Sequence, residues 1–144
     1  MWSLGHRNVQ GFGWAADGTM FAAEFGQDTW DELNVIEPGS DYGWPEVEGA
    51  GGADRGFVDP VQQWHTDDAS PSGLTVVGDT VFVANLRGEV VRGIPVTDPT
   101  TSHEYFAGDF GRIRTVLASP DGEDLWFLTN NTDCLLYTSD AADE

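Results

Sequence analysis

Lysine is absent from this 144-residue chain and arginine is scarce: six cationic side chains stand against 25 Asp and Glu, a formal net charge of −19. Nothing in such a chain neutralises a run of phosphates, so a nucleic-acid partner is excluded and an anionic membrane surface is disfavoured. No apolar run approaches the length of a membrane span. Cysteine occurs once, at Cys134, which rules out an internal disulfide. The acidic excess reads as a solvated surface. Six Trp, eight Phe and three Tyr supply the bulk for one ordinary core.

Glycine is plentiful, and it recurs at turns instead of gathering in a linker. Three stretches resemble one another: QGFGWAADGTMFAAEFG (Gln10–Gly26), SGLTVVGDTVFVANLRG (Ser72–Gly88) and RTVLASPDGEDLWFLTN (Arg114–Asn130). Each has a short apolar strand, a tight turn built on Asp-Gly or Gly-Asp, and a second strand rich in Val, Phe, Trp or Leu. That is a hairpin signature written three times. Gly73 and Thr115 are 42 residues apart, Gly11 and Gly73 are 62 apart with extra loop, and periods of this size with one small sheet each predict a β-propeller. The expected fold class is therefore all-β, a partial propeller of about three blades. Three blades do not close a ring, so two sheet faces are expected to lie uncovered.

The last residues break the pattern. CLLYTSDAADE, Cys134 to Glu144, resembles a translated sequencing adapter and is expected to be a non-native tail. Residues 1–133 are then the propeller segment.

In an antiparallel hairpin the start of the first strand lies beside the end of the second. GHRNVQ therefore meets EFGQDTWDELN, DDASPS meets NLRG, and GRIR meets NNTD, all at one kind of blade end. Arg7, Asn8, Gln10, Arg87, Arg112 and Arg114 should converge there, with a loop over Asp28–Glu32 nearby. Within the GRIR motif, Arg112 and Arg114 are two apart, a spacing that puts side chains on one face of a strand. Two readings stay open. The arginines pair with Asp28, Asp31, Glu32, Asp67 and Asp68 and tie blades together. Alternatively they await a small polyanion, since the guanidinium fork takes carboxylates bidentately. Asp28, Asp31 and Glu32 also offer oxygen ligands for a hard cation, without EF-hand spacing. His6, His65 and His103 share no metal-like spacing, and DYGWP (Asp41–Pro45) reads as a turn with an aromatic plug.

With GHRNVQG, AEFGQDTWDELNVIEPGSDYGWP, SPSGL, NLRG and GRIRTVLASPDG in one order, the chain resembles the soluble pyrroloquinoline-quinone-dependent aldose sugar dehydrogenases of the glucose/sorbosone dehydrogenase family. The resemblance runs from about Ser3 to Asp133 and implies the C-terminal half of a six-bladed propeller, with Met1 an internal start and any export signal upstream of it. It implies oxidation of an aldose at the anomeric carbon to a lactone, with hydride passing to pyrroloquinoline quinone and on to an external electron acceptor. It further implies a periplasmic or extracellular parent. By motif position, Arg7, Asn8, Arg87, Arg112 and Arg114 would hold the tricarboxylate cofactor, and the backbone carbonyls of Gly26 and Gln27 would ligate a Ca²⁺. Relatives often have lysine at Arg87 and Gly-Pro at Gly26-Gln27. The histidine base would belong to the missing half, leaving no catalytic residue here and an inactive fragment. A non-catalytic propeller module of the same family and a calcium-dependent sugar lactonase are the competing readings.

Overall fold

Each of the three glycine turns joins two antiparallel strands. The structure, a computed structural model, describes residues 1–131. Strands β1 (Val9–Trp14) and β2 (Met20–Glu24) flank Asp17-Gly18, where Asp17 accepts the Thr19 N–H at 2.9 Å and Gly18 takes a φ of +91°. That left-handed backbone favours glycine. β5 (Pro71–Val77) and β6 (Thr80–Asn85) flank Gly78-Asp79, and β9 (Ile113–Ala118) and β10 (Leu125–Thr129) flank Ser119–Asp124.

β3 (Trp30–Ile36) and β4 (Gln62–His65) complete the first sheet in the order β1-β2-β3-β4. β7 (Val90–Pro95) and β8 (His103–Tyr105) complete the second as β5-β6-β7-β8. The third sheet, β9 with β10, has two strands among the described residues. All pairings between named strands are antiparallel. The expected blades are thus two four-stranded meanders and a hairpin. The tail expected from Cys134 onward lies outside the described residues. Among those described, no helix is long and apolar enough to cross a membrane.

The first strands of successive blades lie side by side, β1 against β5 and β5 against β9. Phe21, Leu33, Leu74, Val81, Val83 and Ile94 form the buried cluster between the first two sheets. Ile113, Val116, Ala84 and Val91 form the one between the second and third. Glycine sets the spacing of the innermost strands. A Cβ on Gly11 would lie 2.5 Å from the Ser72 carbonyl oxygen, and one on Gly73 would overlap the Thr115 side chain. These are the three in-phase positions of the sequence repeat.

Two faces are uncovered, as expected. Phe12 and Trp14 alternate with the inward Gly11 and Gly13 on β1 and are 58% and 56% exposed. On the third sheet Leu117, Trp126 and Leu128 are also more than half exposed.

Candidate functional site

The functional question lies where the strands begin and end. The predicted loop over Asp28–Glu32 is shorter than expected, because β3 starts at Trp30 and takes in Asp31 and Glu32. The acid side chains on this strand serve the scaffold. Asp31, 2% exposed, accepts the Gly26 N–H at 2.9 Å with one oxygen and the Ser70 N–H at 2.7 Å with the other. It ties the turn after β2 to the start of the second blade. Burial pushes its carboxyl above the usual aspartate range, against those two N–H groups. Glu32 accepts the Gly49 N–H at 2.7 Å and the Asn34 amide at 3.0 Å.

Glu48 shapes the same turn from outside. One of its oxygens accepts the N–H groups of Asp28, Thr29 and Trp30 at 3.0, 2.8 and 3.0 Å. Burial alone would push this carboxyl up, but the backbone N–H groups outweigh it and hold it below the ordinary glutamate range. At Gly26 a Cβ would overlap the Trp30 carbonyl and close on Glu48. Only glycine fits there.

Around this turn opens a hollow of about 470 Å³ lined by Arg7, Asn8, Phe25, Gly26, Gln27 and Arg87, among others. Five of the seven expected site residues therefore share one cavity wall. Arg7 donates from Nε to Gln27 Oε1 at 3.0 Å and from Nη1 to the Phe25 carbonyl at 3.2 Å, with its guanidinium 5.6 Å from the Trp44 ring. Arg114 donates from Nη1 to Ser72 Oγ at 2.7 Å and to Gln10 Oε1 at 3.2 Å. Gln10 in turn donates to Asn8 at 2.7 Å, which links Arg114 to the hollow's edge.

Partnering separates the arginines. Arg87 is ion-paired with Asp67 at 2.6 Å, as the blade-tying reading expects, though both side chains are more than half exposed. The ion pairs among the described residues use His6, Arg55, Arg87 and Arg92. Arg7 and Arg114 spend their side-chain hydrogen bonds on neutral oxygens, and among the described residues no carboxylate lies within 4 Å of either. Arg112 precedes β9, so it and Arg114 are not a same-face strand pair. Its carbonyl accepts the Asn130 N–H at 2.8 Å and its own N–H donates to Asn131 Oδ1 at 2.8 Å. The expected meeting of GRIR with NNTD is seen in those two bonds; Thr132 and Asp133 lie outside the described residues.

Among the described residues no three His, Cys, Asp or Glu side chains form a metal-holding cluster, which removes Asp28, Asp31 and Glu32 as a joint cation site. The Gly26 and Gln27 carbonyls accept none of the hydrogen bonds found among the described residues, so a cation beside them would be held by backbone oxygen. His6 sits away from the hollow, stacked on Tyr42 at 4.6 Å and 3.5 Å from Glu24. Tyr42 is the expected plug, donating to the Val35 carbonyl at 2.6 Å. Sequence reasoning missed Ser72 and Glu48. Ser72 had a signal, since it stands in phase with Gln10 and Arg114 in the repeat; Glu48 had none.

The model of the glucose/sorbosone dehydrogenase family matches residues 1–138. The chain belongs to that family. Among solved structures, it is 51% identical to the aldose sugar dehydrogenase of Streptomyces coelicolor in its PQQ-bound form, with a TM-score of 0.85 over 94% of this chain and 41% of that one. It is 34% identical to a putative oxidoreductase (glucose dehydrogenase) of Thermus thermophilus, with a TM-score of 0.78 over 94% of this chain and 42% of that one. A curated relative, the aldose sugar dehydrogenase YliI of Escherichia coli, is 29% identical over 92% of this chain and 41% of its own length. This member of the glucose/sorbosone dehydrogenase family thus spans about two fifths of the length of these relatives.

Proposed function

We propose that this chain supplies one side of the cofactor socket of a quinoprotein that oxidises aldose sugars. The observation that carries the reading is the partnering of Arg7 and Arg114, two guanidinium groups held by neutral oxygens in a protein of net charge −19. Carboxylates abound in the chain, yet among the described residues neither guanidinium is ion-paired with one. Such a pair fits an incoming ligand with several carboxylates, and pyrroloquinoline quinone is a planar tricarboxylate.

Within this reading Arg7, Asn8 and Arg87 hold the cofactor from the hollow, and Arg112 and Arg114 hold it from the third blade. Asp67 already engages Arg87, so that arginine exchanges one carboxylate for another and contributes less. Asp31 and Glu48 fix the turn that presents the Gly26 and Gln27 carbonyls, which accept no hydrogen bond among the described residues and suit a Ca²⁺ ion. When bound, the quinone supplies a two-electron acceptor for hydride from the anomeric carbon, with calcium polarising its carbonyl, and the sugar leaves as a lactone. The parent protein would act in the periplasm or outside the cell and pass its electrons to an external acceptor. No general base is assigned in this chain, and alone it is expected to be inactive.

The test uses the full-length parent, reconstituted with pyrroloquinoline quinone and Ca²⁺ and assayed by dye-linked aldose oxidation. Replacing Arg112 and Arg114 together by glutamine should weaken reconstitution by about a hundredfold or more, from charge-assisted hydrogen bonds of roughly 1.5–3 kcal/mol each. Normal reconstitution of the double variant would remove the socket assignment.

A further inference from the structure

The three inner hairpins slip register at one shared place. Val9 pairs with Glu24 and Gly11 with Ala23, leaving Gln10 as the extra residue. Pro71 pairs with Asn85 and Leu74 with Val83, so the second slip falls within Ser72-Gly73. Ile113 pairs with Thr129 and Thr115 with Leu128, leaving Arg114. An extra residue on one strand drops out of the ladder, and the bulge re-aims its side chain.

Here the re-aimed side chains meet. Arg114 Nη1 reaches Ser72 Oγ at 2.7 Å and Gln10 Oε1 at 3.2 Å, bridging three blades through residues 42 and 104 positions away. Gln10 then hands its amide N–H to Asn8 on the edge of the hollow at 2.7 Å. Ser72 is only 1% exposed and its oxygen faces the guanidinium, whereas Arg114 itself is exposed. A carboxylate in place of either acceptor would hold the guanidinium equally well but would cancel its charge. A hydroxyl and an amide fix its direction and leave the charge for something else.

We propose that Gln10 and Ser72 are positioning residues for Arg114: the three bulges hold its guanidinium between neutral acceptors, so that, with no ion-pair partner among the described residues, it is presented and oriented to a carboxylate of the bound ligand. The identity of that ligand rests on the reading given under Proposed function; the positioning does not.

Two measurements on the full 144-residue chain separate these claims. The first is the ¹⁵Nε–¹Hε heteronuclear NOE of Arg114. It should report a rigid side chain in the parent sequence, a mobile one in Gln10→Ala with Ser72→Ala, and a rigid one again when Ser72→Thr restores the hydroxyl. Equal mobility in the parent and the double alanine variant would overturn the proposal. The second is equilibrium dialysis against pyrroloquinoline quinone. Gln10→Glu should keep Arg114 rigid while weakening binding by about tenfold, because the new carboxylate neutralises the cation; undiminished binding would overturn the requirement for neutral acceptors. If binding ignores Arg114→Gln while the rigidity of Arg114 still depends on Gln10 and Ser72, the positioning stands and the cofactor reading fails.

Discussion

Glu24 and Glu32 are direct partners across the β2–β3 ladder, and one amide group, Asn34 Nδ2, donates to both at 3.2 and 3.0 Å. Both acids are buried, 4% and 7% exposed. Like charges opposite one another on a sheet repel. A shared donor relieves that only in part. The nearest cationic candidate is His6, whose Nδ1 lies 3.5 Å from Glu24.

A pH dependence of stability follows. Burial, aided by the neighbouring Glu24, raises Glu32 from the ordinary 4.5 to about 7. Between those values the native state keeps a proton that the unfolded chain has released, so stability falls as pH rises from about 4.5 through 7. Glu32→Gln removes the titration while keeping the shape. Its melting temperature should fall less between about pH 5 and pH 8, and at the upper end it should exceed the parent by on the order of 1–3 kcal/mol of stability. Thermal melts across that range check it, and an unchanged slope would assign the titration elsewhere.

Glu48 sets the order of the hollow's lip. Glu48→Ala would leave the N–H groups of Asp28, Thr29 and Trp30 without their acceptor, at a cost of about 1–3 kcal/mol for each that water fails to reach. Amide hydrogen exchange at these three positions should accelerate while exchange in β6 stays slow. Because this carboxyl is held below the ordinary glutamate range, its contribution is present at neutral pH and is lost as pH falls below that range. The alanine variant should therefore differ least from the parent in acid.

Much of this arrangement was legible in the sequence, and the limits have physical causes. The hairpins announced themselves through Asp17-Gly18, Gly78-Asp79 and Asp121-Gly122, because turns demand particular residues locally. The in-phase Gly11, Gly73 and Thr115 marked the repeat period, whereas the close contact of inner strands at these positions emerged only in the structure. Arg112 and Arg114 misled for a specific reason: the same-face rule assumes an unbroken pleat, and β9 begins after Arg112 and bulges at Arg114. Asp31 and Glu32 misled because polar residues seldom fill a strand interior unless backbone donors wait for them. Those donors, at Gly26, Ser70 and Gly49, depend on folds of chain 5 to 39 residues away. No local pattern encodes that distance.

The inner-strand glycines make a sharper prediction. In Gly11→Ala the new Cβ would stand 2.5 Å from the Ser72 carbonyl oxygen and 2.9 Å from the Leu74 nitrogen, both backbone atoms. Backbone yields only if one blade moves away from the next, and overpacking of this kind costs about 1–3 kcal/mol. Gly18→Ala, with nothing within 4 Å of its Cβ but a φ of +91°, should lose stability through backbone strain alone. Only the first variant should also loosen the Arg114–Ser72 contact, seen as faster exchange or altered shifts at both residues. A Gly11→Ala protein as stable as the parent would mean that the blades are not set at this spacing.

The uncovered faces govern how the chain behaves by itself. Phe12 and Trp14 on β1, and Leu117, Trp126 and Leu128 on the third sheet, turn large apolar surfaces to water at opposite ends of the blade series. Apolar patches of this kind drive association, and the net charge of −19 opposes it through general repulsion that salt screens. Self-association of the isolated chain should therefore rise with ionic strength, the reverse of a contact made by ion pairs. Phe12→Glu and Trp126→Glu should each lower it, and together they should lower it more than either does alone, since they lie on different faces. Sedimentation velocity at low and high salt measures all four proteins. A parent chain that stays monomeric throughout would show that these faces tolerate water, and association that weakens with salt would assign it to charged groups instead.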